Sequence, residues 1–261
     1  MDDKIELILN ESRIIENVCN ENFLEKFAEL HNIPKEFNKF SVKQEVIAQK
    51  GYFLDVKKHY GLWIVNKEGV PVSKYDIKGL ITQRSDYPDF TKKKITELLD
   101  LLLKEQKVSF TNIRKKIEEA EEKINDKILN GEKDIARPVS FTKELSSYKK
   151  IPSHIISMQF WNDIEYEYFF PGTKGYLFNI LGIDEYKAPE KVKRNLANKY
   201  LGKKIPDRIV LPYEEDKLPD YYNIDTTAML EFSWRNRVSE LLKPLWEKIY
   251  RKNLAISLTT F

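Results

Sequence analysis

Between Phe40 and Val72 the hydrophobic pattern changes its period, and after Pro88 it changes back. That switch restricts the chain to folds in which helix, sheet and helix follow one another. Upstream, Ile5, Leu7, Ile8, Ile14, Ile15, Val18, Phe23, Phe27 and Leu30 fall at mostly helical spacing, and Pro34 ends the region. Within the switch, Phe40 to Ala48 and Tyr60 to Val65 are short β-branched and aromatic runs, as strands are. Asn66-Lys67-Glu68-Gly69 separates Val65 from Val70-Pro71-Val72 and reads as a hairpin turn ending in glycine.

Downstream, Ile95, Leu98, Leu99 and Leu102 sit at i, i+3, i+4 and i+7, which predicts a buried helix face. Ser109 and Gly131 suit the start and stop of the next helix. Between them, Phe110, Ile113, Ile117, Ala120 and Ile124 make one narrow stripe, so that helix is expected to pack on one side only. Residues 165–181 read as a second hairpin with Pro171 to Gly175 at its tip. A last long helix starts near Asp225 and carries Leu230, Trp234, Val238, Leu241, Leu242, Leu245 and Ile249 on one face, with Pro244 as a kink. The expected class is α+β: a helix plus an antiparallel sheet over 1–86, a mainly helical domain with a small β-hairpin over 87–252, and a tail over 253–261. The boundary is expected near Ser85 to Pro88.

Composition excludes more than it suggests. The 261 residues suffice to bury a core unaided. Lys and Arg number 44 against 41 Asp and Glu, so the net +3 describes a surface dense in both signs and not a polybasic tail. One cysteine, Cys19, excludes an internal disulfide framework and a Cys-based zinc site. Neither G-x-G-x-x-G nor G-x-x-x-x-G-K-[ST] occurs, which leaves a dinucleotide or P-loop site unsupported. The three histidines, His31, His59 and His154, form no H-E-x-x-H, and no G-x-S-x-G is present. No stretch approaches the roughly 18 apolar residues of a membrane span. The expectation is a cytoplasmic protein without membrane attachment, and a self-contained hydrolase or metalloenzyme is unconvincing.

The informative stretch is Lys57-Lys58-His59-Tyr60 at the mouth of a strand. Strand geometry fixes the direction of these side chains, so Lys57 and Lys58 are expected to point to opposite faces and at most one to aim inward. A solvated basic pair is the plain alternative. Its surroundings change the weighting: Tyr52-Phe53, Lys57-Lys58-His59-Tyr60, Ile77-Lys78-Gly79-Leu80, Gln83-Arg84-Ser85-Asp86 and Pro88 follow in this order. The series resembles the C-terminal part of the palm and the start of the thumb in family B DNA polymerases. There a K-K-x-Y motif precedes a hairpin, a K-G-L element and an R-S-D-x-P segment. Gln44-Glu45-Val46-Ile47-Ala48 is similar to a palm strand with a glutamate near the active site. Ile151-Pro152-Ser153-His154-Ile155 and Phe170-Pro171-Gly172-Thr173 are similar, more weakly, to the thumb pattern. The T-even-like bacteriophage branch fits best, on Gly79-Leu80-Ile81-Thr82-Gln83 and His154-Ile155.

Read through that resemblance, residues 1–86 are the C-terminal part of a palm and 87–252 a thumb. Lys57, Lys58 and Tyr60 are implied to hold the primer 3′ end. Glu45 is implied to lie near the metal site in a supporting role. Arg84, Lys92, Lys93 and Lys94 are candidates for duplex phosphates, with solvated helix starts as the alternative for the three lysines. The tail Ser257-Leu258-Thr259-Thr260-Phe261 is similar to a segment that binds a sliding clamp in this branch, so Ile256, Leu258 and Phe261 are implied clamp contacts. Departures from the family carry equal weight: the metal-binding Y-x-D-T-D and S-L-Y-P-type motifs, the exonuclease carboxylates and the fingers lysine helix are absent. Arg194 to Gly202 loosely echoes a fingers motif but lies on the wrong side of Lys57, and reads as an ordinary amphipathic helix.

The chain therefore looks like a family B DNA-directed DNA polymerase cut just after its catalytic aspartates, beginning at Met1. It is expected to be the C-terminal subunit of a split enzyme, inactive alone. The partner would be an N-terminal subunit carrying exonuclease, fingers and the aspartates that hold Mg²⁺; primer–template DNA is the further expected partner, with a sliding clamp as the candidate for the tail. The alternative is a non-catalytic DNA-binding or clamp-tethering polymerase remnant.

Overall fold

The computed structural model describes residues 2–37, 39, 41–105 and 108–246. With 50% helix and 21% strand, the protein is an α+β chain. Its contacts separate two compact units, Met1–Phe53 with Tyr60–Lys78, and Leu54–His59 with Gly79–Phe261. The changeover thus falls between Lys78 and Gly79, ahead of Ser85 to Pro88, and the loop 54–59 belongs with the second unit.

The first unit begins with α1 (Asp2–Asn17), a π-helical turn at Val18–Phe23 and α2 (Leu24–Leu30). Three antiparallel strands follow in spatial order: β1 (Val46–Phe53), β2 (Tyr60–Lys67) and β3 (Val70–Lys78). The β2–β3 turn is the one read from sequence. Glu68 and Gly69 both take positive φ, 51° and 84°, the left-handed pair that matches strand twist, and the Gly69 N–H donates to Asn66 Oδ1 at 3.0 Å. Strand β1 starts later than the apolar run suggests because residues before Val46 bond to the helices instead. Asn20 brackets Val42 through both its backbone N–H and C=O, at 2.7 and 2.9 Å, and the Gln44 N–H donates to the Glu16 carboxylate.

Helix α1 is apolar on two sides. Ile5 and Leu9 face a groove of about 490 Å³ shared with Trp63, Val65 and Val72 of the sheet. Leu7, Ile8, Ile14, Ile15 and Val18 form a separate stripe, and each remains between 45% and 60% exposed. At 3.6 residues per turn these five positions fall on one face, turned away from Ile5 and Leu9.

The second unit is mainly helical around a small sheet. In chain order it contains α3 (Asp89–Lys104), α4 (Phe110–Leu129), β4 (Arg137–Ser140), α5 (Ser153–Ile164), β5 (Lys174–Ile183), α6 (Glu190–Tyr200), β6 (Arg208–Pro212), β7 (Tyr222–Ile224) and α7 (Thr226–Leu230). A π-helical turn at Glu231–Arg235 leads into a helical stretch over 236–246. Strand β5 pairs antiparallel with β4, β6 and β7. Trp161, Trp234, Phe160 and Phe178 are fully buried with Ile95, Leu98 and Leu99 of α3. Ser109 caps α4 by accepting from the Asn112 N–H at 3.3 Å, Gly131 follows it with φ of 66°, and Asp225 caps α7 by accepting from the Ala228 N–H at 2.9 Å.

The hairpin read over residues 165–181 does not form. Asn162 takes the backbone that would have been its first strand: its Oδ1 accepts from the Tyr168 and Phe169 N–H groups at 3.0 and 2.9 Å, and its Nδ2 donates to the Phe169 carbonyl at 2.7 Å. A side-chain amide has replaced a ladder, and β5 finds partners far away in sequence. Among the described residues no helix is long and apolar enough to cross a membrane.

One buried polar contact ties α3 to the last helix. The π turn carries an extra residue and interrupts the regular ladder there. The Thr91 hydroxyl donates to the Ser233 carbonyl at 2.7 Å, and both residues are fully buried. Thr91→Val keeps the shape and orphans that carbonyl, so it should cost about 1–3 kcal/mol. Urea denaturation followed by tryptophan fluorescence measures this; an unchanged midpoint would show that the bond contributes nothing net.

Candidate nucleic-acid interface

The loop 54–59 leaves the sheet as a closed turn. The Leu54 N–H donates to the His59 carbonyl at 3.0 Å and the His59 N–H to the Val56 carbonyl at 3.1 Å. His59 Nδ1 lies 2.9 Å from the Lys57 carbonyl. Lys57 and Lys58 therefore occupy turn positions, and the alternation rule for strands does not govern them. Both are exposed, and neither has an ion pair among the described residues.

Lys58 adopts φ of 62°, a left-handed conformation that costs a β-carbon-bearing residue strain. Its carbonyl reaches Gly79, itself at φ of 67°. A β-carbon on Gly79 would sit 2.5 Å from the Lys58 oxygen and 2.8 Å from the His59 ring. Only glycine admits this approach. The K-K-x-Y loop and the K-G-L element are thus two halves of one packing arrangement, and this explains physically why they occur together.

Within the first unit, Tyr60 stands directly opposite Lys78 across the β2–β3 ladder. Its hydroxyl lies 3.4 Å from Asp76 Oδ2, and the Lys78 ammonium is 5.7 Å from the ring centroid. Hydrogen bonding to Tyr60, then its charge and that of Asp76, push the Lys78 pKa up, with a smaller contribution from Glu45. Glu45 is exposed, and its carbonyl accepts from the Glu68 N–H at 2.9 Å. Among the described residues no three His, Cys, Asp or Glu side chains gather as a metal-ligand set. The Mg²⁺ implied by the resemblance is therefore not matched by a ligand set among them, and no chemical step is derived through it.

In the second unit, Arg84 is committed to a partner. Its Nε and Nη2 donate to the two oxygens of Asp86, each at 2.9 Å, and its guanidinium lies 5.0 Å from the Tyr87 ring centroid. That bidentate bond holds the Asp86 carboxyl below its ordinary range and the Arg84 guanidinium above its own. On α3, Lys92 pairs with Asp89 at 2.7 Å, and Lys94 reaches both oxygens of Glu97 at 2.8 and 2.7 Å. Lys93 is exposed and has no ion pair among the described residues. Of the three lysines, its charge is the one left for an outside partner. Ile256, Leu258 and Phe261 lie outside the described residues.

Three groups escaped sequence reasoning. Lys78 sits inside a quoted motif, but its pairing with Tyr60 depends on strand register. Arg137 and Arg237 come from β4 and the last helix and reach the surroundings of Arg84 only in the folded chain. No spacing in the sequence signals them.

The chain belongs to DNA polymerase family B: the model of that family matches residues 20–157, more than half of it. No curated protein matches. Among solved structures, the family B DNA polymerase from the hyperthermophilic archaeon Pyrobaculum calidifontis is similar at 15% identity and a TM-score of 0.49. The match covers 85% of this chain and 24% of that polymerase, so this chain spans about a quarter of its length.

The Gly79 contact makes a stability prediction. Gly79→Ala should destabilise the second unit by about 1–3 kcal/mol, because a positive φ and a backbone collision add. Gly202→Ala is the control, with φ of 72° but open space around it, and should cost less. Equal losses in thermal melts of the two variants would remove the Lys58 collision from the account.

Proposed function

We propose that this chain is the palm–thumb subunit of a split family B DNA-directed DNA polymerase of the T-even-like bacteriophage type, gripping primer–template duplex while a second polypeptide completes the palm. The observation that carries the reading is the outward stripe of α1. Leu7, Ile8, Ile14 and Ile15, with Val18 just beyond the helix, stay exposed, while Ile5 and Leu9 line the groove shared with the sheet. Burying such side chains is worth roughly 1.5–3 kcal/mol each, so a helix apolar on both sides is stable only with something on its second face. The catalytic Y-x-D-T-D aspartates are missing from this sequence, and the polypeptide that supplies them supplies that cover. An interface of this kind is obligate and of the order of 2,000 Å² or more.

Within the assembly, Lys57 and Lys58 present unpaired ammonium groups from a fixed turn, suited to the primer backbone and the minor groove. In the first unit, Tyr60, steadied by Asp76 and Lys78, is a further primer contact. Lys93 is the α3 charge best placed for duplex phosphates. Arg84 takes part only in competition with Asp86, and Lys92 and Lys94 only at the expense of their carboxylate partners. Glu45 adds negative charge near a metal site whose ligands, and the Mg²⁺ they hold, belong to the partner. Residues 1–86 act as palm and 87–252 as thumb, and Ile256, Leu258 and Phe261 in the tail 253–261 serve a sliding clamp. The complex works in the cytoplasm of the host cell.

Lys58→Ala, assayed with the partner present, should weaken primer extension more than duplex affinity, because the contact is made at the primer end. Extension kinetics and equilibrium binding on the same substrate give the two numbers. A loss of affinity with extension unchanged at saturation would reduce Lys58 to a general phosphate contact. Duplex binding without extension under any pairing would favour the non-catalytic remnant.

A further inference from the structure

Tyr87 and Phe232 lie with their rings parallel within 1° and their centroids 6.4 Å apart. Three guanidinium groups from distant parts of the second unit stand against this pair. Arg84 is 5.0 Å from the Tyr87 centroid, Arg237 is 5.0 Å from Tyr87 and 5.8 Å from Phe232, and Arg137 is 6.0 Å from Phe232. Stacking occupies the flat faces of the guanidinium groups and leaves their N–H edges for anions.

Among the described residues, two carboxylates, Asp86 and Glu240, pair with these three cations. Glu240 is taken by Arg237, whose Nη1 reaches its oxygens at 2.9 and 3.0 Å. Asp86 is taken by Arg84 through both oxygens. Arg137 is left with the remainder, Nη2 at 3.7 Å from Asp86 Oδ2, beyond normal hydrogen-bond length. The Arg137 and Arg84 side chains are 45% and 54% exposed, whereas Arg237 is 16% exposed. Positive charge is therefore in excess at the accessible side of the cluster, and Asp86, the carboxylate that Arg84 and Arg137 share, is oversubscribed.

We propose that Arg84 and Arg137 together form a binding site for a backbone phosphodiester, with Asp86 as an internal placeholder that a phosphate oxygen displaces. A phosphodiester offers two non-bridging oxygens in the fork geometry that a carboxylate offers, so one arginine can exchange one for the other. Arg137 exchanges its long contact to Asp86 for a close one, while Tyr87 and Phe232 keep both guanidinium planes in place during the exchange. Arg237, tied to Glu240, is a positioning residue for the aromatic pair. The site rests on the reading of the second unit as a duplex grip and specifies where one phosphate is held.

The test uses the full chain and a labelled blunt duplex, with affinity measured across a salt series. Arg137→Ala should weaken binding three- to tenfold near 0.1 M salt and lower the log–log salt slope by about 0.9, the value for one phosphate. Asp86→Asn should tighten binding by a similar factor, because the placeholder loses its charge. Asp216→Asn, which removes a carboxylate paired with Lys133 elsewhere in this unit, is the charge control and should change neither quantity. Arg137→Lys should restore only part of the affinity, because charge returns without the fork. Thermal melts establish that the variants are folded. If the duplex binds but is indifferent to Arg137 and Asp86, the cluster is a structural clamp and the proposal fails while the duplex-grip reading stands. If the wild-type chain binds no duplex at low salt, both fail. Inorganic phosphate that competes at the cluster while Arg137→Ala leaves duplex affinity intact would mark a free-phosphate site and overturn the backbone assignment.

Discussion

The close approach of the Lys58 carbonyl to Gly79 organises the functional part of this molecule. Two residues in left-handed conformations meet at a distance that no β-carbon permits at Gly79. The contact fixes the turn that presents Lys57 and Lys58. It also sets the departure of the chain toward α3, through buried Leu80 and the tight turn in which the Gln83 and Arg84 N–H groups donate to the Leu80 and Ile81 carbonyls at 3.1 and 3.0 Å. Arg84, Asp86 and Tyr87 follow directly, so one backbone contact underlies both the basic turn and the arginine–aromatic cluster.

Charge is distributed by the same logic. With 44 basic and 41 acidic residues the chain is almost neutral, and some of its positive charge is spent in short-range pairs along helices, as with Lys92 and Lys94 of α3. Such exposed pairs add little stability. They do remove lysines from the pool available to an anionic partner. Of the basic residues placed at the candidate interface, Lys57, Lys58 and Lys93 have no ion pair among the described residues, and Arg137 has only the longer contact to Asp86.

Much of this was legible in the sequence because its causes are local. The Asn66 to Gly69 turn, the Ser109 cap, the Gly131 stop and the α3 face depend on residues within one or two turns of one another. Motif order alone brought out the family resemblance, and the packing of Gly79 against Lys58 supplies its physical reason. What could not be read depends on competition or distance. Asn162 captures the backbone of residues 168 and 169, so a plausible hairpin is lost to a side-chain amide. Arg137 and Arg237 converge on Tyr87 and Phe232 from β4 and the last helix, far apart in sequence. Helical periodicity in α1 shows that the helix is apolar but not that it is apolar on two sides, with only one used.

That unused side is where the account is most exposed to contradiction. Primer extension by this chain alone, compared with extension after mixing it with a family B polypeptide that ends after its catalytic aspartates, tests the central claim most directly. The account predicts no synthesis by either component and templated synthesis by the mixture. Robust synthesis by this chain alone would contradict it.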